Sequence, residues 1–96
     1  MFTKEMFLRD LRKTSSRDGE LLTLTNAVNR FAIDEAFRYV NVNPDLSTTD
    51  ALELFINDMD RYACKAKTAA SSYIFSTAKA MGEDILDTWL FYIANN

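Results

Sequence analysis

Histidine is missing from this chain altogether, and cysteine occurs once, at Cys64. The first absence removes the usual general base near neutral pH and the commonest metal ligand. The second rules out an internal disulfide, and the two together exclude Ser–His and Cys–His nucleophile pairs and zinc sites of ordinary composition. Glycine is nearly as scarce: Gly19 and Gly82 stand far apart, and neither opens a phosphate-cradling loop. With two glycines and one proline in 96 residues, the tight turns of an all-β domain cannot be furnished, so a few long helices are predicted instead. The longest apolar run, Trp89–Ala94, is far short of the roughly 20 residues a membrane span requires. Lys4 and Glu5 interrupt the apolar start, so no signal peptide is read and a cytoplasmic protein is expected.

What is present is the material of one small core. Hydrophobic residues make up 48% and charged residues 26%, the ordinary globular mix. Seven Phe, four Tyr and one Trp supply the bulk, and the length suits a single domain over residues 1–96. The formal net charge is −3, unevenly spread. Residues 1–30 carry six basic groups against four acidic, a net of +2, while 31–96 carry five against ten, a net of −5.

Periodicity places the elements. A first helix over about 3–12 starts at Thr3 as cap, with Phe2, Phe7, Leu8 and Leu11 near one side. After the polar stretch Lys13–Glu20, a second runs over about 19–40, where Leu21, Leu24, Val28, Phe31, Ala32, Ala36 and Tyr39 recur at helical steps. Asn43-Pro44 stops it. Ser47, Thr48 and Thr49 are three candidate caps for a segment over 49–81, either one helix or two broken near 67–72. Gly82 reads as its C-terminal cap, and Glu83, Asp84 and Asp87 as the acidic first turns of a last helix over 83–94. The predicted fold is all-α, a compact bundle of four or five helices with mostly antiparallel neighbours.

Three surfaces emerge as candidates. The last helix is apolar nearly all round, so Ile85, Trp89, Phe91 and Tyr92 are candidate protein-interface residues, with covering by the rest of the domain as the alternative. The small residues Ala63, Ala66, Ala69, Ala70, Ser71 and Ser72 offer the Trp89 helix a close approach. Asp50, Glu53 and Asp60, with Asp58 beside them, form an acidic docking face or simply a solvated one. Arg9, Arg12, Lys13 and Arg17 are candidate phosphate contacts, diluted by Asp10, Asp18 and Glu20.

Other constellations are weaker. Asp84 with Asp87, or Glu83 with Asp87, could share a Mg²⁺, but an acidic helix start is the favoured explanation. Cys64 reads as a small buried apolar side chain. Ala78 and Gly82 have the spacing of a helix-turn-helix, yet Glu83, Asp84 and Asp87 would face the phosphates, so the turn is expected and DNA contact is not. In size, acidity and lack of motifs the chain resembles, in style alone, the small accessory proteins of phages and plasmids.

The expectation is a non-enzymatic protein-binding module, an inhibitor or adaptor that engages a larger host protein. It is expected to be homodimeric, without cofactor, metal or membrane contact. The alternatives are a dimeric nucleic-acid binder that uses the basic N-terminal segment and a carrier with a cavity inside the bundle.

Overall fold

The computed structural model describes residues 2–14 and 27–95, the side chains of 10–14 and 27 excepted. These residues form four helices and no strand: α1 (Lys4–Thr14), α2 (Ala27–Val42), α3 (Thr48–Lys65) and α4 (Ala69–Ala94). The chain is an all-α bundle, as its composition predicts. Residues 19–26 of the predicted second helix lie outside the described residues.

The capping chemistry sets the helix starts. Thr3 Oγ1 accepts from the Met6 amide at 3.2 Å and opens α1. Of the three candidates before α3, Ser47 takes the role: it sits in the extended region and accepts from the Asp50 amide at 3.0 Å. The end of α2 falls two residues later than periodicity suggested. Asn43 Nδ2 donates to the Tyr39 carbonyl at 2.7 Å, satisfying an acceptor of the last turn that has no partner within the helix.

The long third segment breaks. Ala66 leaves the helical region at ψ 135°, and Thr68 caps the next helix by accepting from the Ser71 amide at 3.0 Å. Three residues thus reverse the chain, and α4 returns antiparallel along α3. Successive contacts show the register: Thr49 meets Trp89, Phe55 meets Gly82, Asp60 meets Lys79 and Tyr62 meets Phe75.

Gly82 does not end a helix, and no turn forms there. It is buried inside the 26-residue α4, which runs unbroken through the predicted boundary between 81 and 83. The reason is packing: its bare Cα lets α4 come against the ring of Phe55. A glycine at a close approach and a glycine after a helix look alike in sequence.

One apolar cluster joins the helices. Phe2 and Phe7 from the start of the chain, Ala32, Ile33, Ala36 and Phe37 from α2, Leu52, Phe55 and Met59 from α3, and Ala78 and Ile85 from α4 are all buried in it. Phe2 is the plug. Its ring lies 5.7 Å from Phe37, 5.4 Å from Trp89 and 5.8 Å from Tyr92, so it ties α1 and α2 to the far end of α4. Phe31, placed by periodicity on the inner stripe of its helix, instead points outward.

Candidate interaction surface

The last helix divides its apolar residues between inside and outside. Ile85 is 0% exposed and belongs to the core, which removes it from the candidate interface. Trp89 and Tyr92 are half-buried and share a stack at 5.8 Å beneath Phe2. The Trp89 indole donates to Thr49 Oγ1 at 2.9 Å, so its one polar atom is satisfied inside the fold. Phe91 is left outside at 70% exposed, with Leu90 and Ile93 also exposed. Of the three aromatic side chains expected at an interface, only Phe91 is fully presented.

The small-residue stretch does not receive Trp89. Ala69 and Ala70 start the same helix that carries Trp89, about 30 Å away at 1.5 Å per residue, and both are exposed. The close approach in this bundle is made instead by Ala78 and Gly82, both buried.

The acidic stripe also divides. Asp58 is turned away from its neighbours toward α2, accepting from Tyr39 Oη at 2.7 Å and from Arg61 at 2.6 Å, and its side chain is only 15% exposed. Burial, then the hydrogen bond to Asp58 and its charge, push the Tyr39 phenol well above its usual range, so it stays a donor. Asp58 is thus a tie between helices and not part of a docking face. Asp60 is exposed and paired with Lys79 of α4 at 3.0 Å. Asp50 and Glu53 remain exposed.

The hairpin gives Glu53 new neighbours. A shallow groove of about 340 Å³ between α3 and α4 is lined by Glu53, Ile56 and Asn57 on one side and Glu83, Leu86 and Asp87 on the other. Glu83 and Asp87 read in sequence as a helix start, where the dipole would favour them. In mid-helix they have no such compensation. Their charges are felt next door: burial first, then Asp87 and Glu83, raise the carboxyl of Asp84 above its ordinary range. Among the described residues, no group of three or more acidic or thiol side chains is arranged to hold a metal ion.

At the basic end, Arg9 is exposed on α1. Lys4 is paired with Asp34 of α2 at 2.7 Å. Arg17 and the side chains of Arg12 and Lys13 lie outside the described residues. Cys64, expected to be buried, is instead exposed: it lies one residue before the end of α3, where the chain leaves the helix.

Periodicity within one helix missed the groove, because the groove exists only once the register of α3 against α4 is known. No described helix is long and apolar enough to cross a membrane. No known protein family, curated protein or solved structure matches the chain.

Proposed function

We propose that this chain is a non-enzymatic protein-binding module, an inhibitor or adaptor that engages a larger partner through the α3–α4 hairpin. The observation that carries this reading is the coexistence, on one hairpin, of unpaired carboxylates along the groove and exposed apolar residues toward its open end. Glu53, Glu83 and Asp87 form no direct ion pair among the described residues, though Glu83 lies near enough to Lys79, one turn earlier, for its charge to be felt there. Leu90, Phe91 and Ile93 follow on the last turns of α4. Exposed apolar groups flanked by charge have the make-up of a docking surface, in which aromatic anchors supply affinity and the rim charge selects the partner. The exposed apolar end of α4 also suits a second copy of the chain, so the module is proposed to act as a homodimer.

Affinity capture from host lysate tests the binding reading, with the wild type and two surface variants, Phe91→Glu and Glu53→Lys, run in parallel. A specific protein held by the wild type and lost by at least one variant of unchanged helix content supports the module. Identical retention profiles for all three would sink it.

A further inference from the structure

We infer that the α3–α4 groove receives an arginine-bearing basic segment of the partner protein, with aliphatic stems on its floor and guanidinium heads at its rim. This rests on the protein-binding reading and names the chemistry of the occupant.

The groove has two kinds of wall. Its floor holds the half-buried side chains Ile56 and Leu86, and its rim carries the exposed Glu53, Glu83 and Asp87. None of the described residues that line it is basic. The nearest cation of α4 along that face, Lys79, is bonded to Asp60 and feels Glu83 only through its charge, which leaves Glu53 and Asp87 with no cation of α4 beside them. Glu83 and Asp87 both act on the carboxyl of Asp84 between them, so this side of α4 is locally negative, and Glu53 faces it across the groove, a rim that an incoming cation would neutralise.

A free metal ion would meet only the rim, whereas a side chain with a methylene stem and a cationic head meets both floor and rim. Lysine and arginine both have that form; arginine is favoured because its planar head bonds a carboxylate through two donors and is more weakly hydrated than an ammonium, so it loses less on leaving water here. A nucleic-acid backbone, being anionic, is repelled by the same rim. The groove is open and shallow, so it suits the side chains of a segment lying across it better than an enclosed small ligand.

The test uses the full chain and a defined probe. An alanine-based helical peptide carrying one arginine per turn is titrated into isotope-labelled protein, alongside its lysine and glutamine counterparts. The expected result is saturable shifts of the Ile56 and Leu86 methyl resonances, tighter with arginine than with lysine, and none with glutamine. The double variant Glu53→Gln/Asp87→Asn should bind about 10-fold more weakly, the equivalent of two partly exposed charge pairs. A control of equal net charge, Glu5→Gln/Asp45→Asn, should stay within about 2-fold of the wild type. Equal weakening in both double variants means attraction by net charge alone and overturns the assignment. So do shifts that bypass Ile56 and Leu86, and so does a lysine peptide that binds as well as the arginine peptide. A captured protein partner that depends on Phe91 but ignores Glu53→Gln/Asp87→Asn would retire the groove and leave the module standing.

Discussion

A Cβ added at Gly82 would lie 2.8 Å from Cδ2 and 2.9 Å from Cε2 of Phe55, and 3.0 Å from Cγ1 of Ile56. Two effects of a Gly82→Ala change therefore oppose each other. Alanine is the better helix former by about 1 kcal/mol, and position 82 lies mid-helix. Overpacking a filled core costs about 1–3 kcal/mol, and the Phe55 ring, fully buried, has little room to retreat. We expect the clash to win, with a net loss of about 1 kcal/mol in urea denaturation. A gain in stability would mean that the two helices can part without cost. Asp84 illustrates the other control at this scale, charge. Its carboxyl titrates above the ordinary range, through burial first and then Asp87 and Glu83. Between the unfolded and folded titration points the native chain binds more proton than the unfolded one, so stability falls as pH rises through the folded value. Replacing Asp84 by Asn, of similar helix propensity, removes this penalty. The variant should melt above the wild type at pH 7, and the gap should close as pH drops below the normal carboxylate range near ~3.9. A gap independent of pH would assign the effect to packing.

Helix boundaries were legible wherever local chemistry makes them, and illegible wherever another helix does. Thr3 and Ser47 are caps that a sequence reader can find, because the hydroxyl and the amide it accepts from are three residues apart. The reversal at Ala66–Thr68 has no glycine or proline to announce it, so the weak helix formers Thr68, Ser71 and Ser72 offer a break near 67–72 only as one of two readings. It is set by the apolar faces of α3 and α4 folding onto each other, with Thr68 present to cap the return. Gly82 was misread for the complementary reason: the partner that gives it meaning, Phe55, sits on another helix. The hairpin's turn therefore depends on one side chain more than its length suggests. Thr68 Oγ1 takes the Ser71 amide and lies 2.7 Å from the Ser71 hydroxyl. Thr68→Ala should cost about 1 kcal/mol and speed amide exchange at Ser71, while exchange at the buried Ile85 slows or quickens only with global stability. Unchanged exchange at Ser71 would show that the cap is dispensable.

At the scale of the whole molecule, pairing decides which charges are left to act. The sequence stripe Asp50, Glu53, Asp58, Asp60 loses Asp58 to Tyr39 and Arg61, and Asp60 is tied to Lys79. What remains is Asp50 and Glu53, and Glu53 is joined across the hairpin by Glu83 and Asp87, which no single-helix periodicity connects to it. The same accounting holds for the apolar surface. Trp89 and Tyr92 are drawn inward by Phe2, which leaves Leu90, Phe91 and Ile93 as the exposed group at the end of α4. Leu90 and Ile93 share one side of the helix, and Phe91 stands about 100° round from Leu90. A second copy covering this end would bury all three, at about 25 cal/mol for each Å² removed from water, against the entropy of association. The proposed homodimer has a direct measure in light scattering after size exclusion at ~100 µM. We expect a mass near twice the 11.0 kDa of the chain, and a return to 11.0 kDa for Phe91→Glu with unchanged helical circular dichroism. Because position 91 is 70% exposed and lies outside the core cluster, the substitution should leave the fold intact and act on association alone. A wild type that elutes as a monomer at that concentration would remove self-association from the proposal, and the apolar end of α4 would then belong to the partner protein.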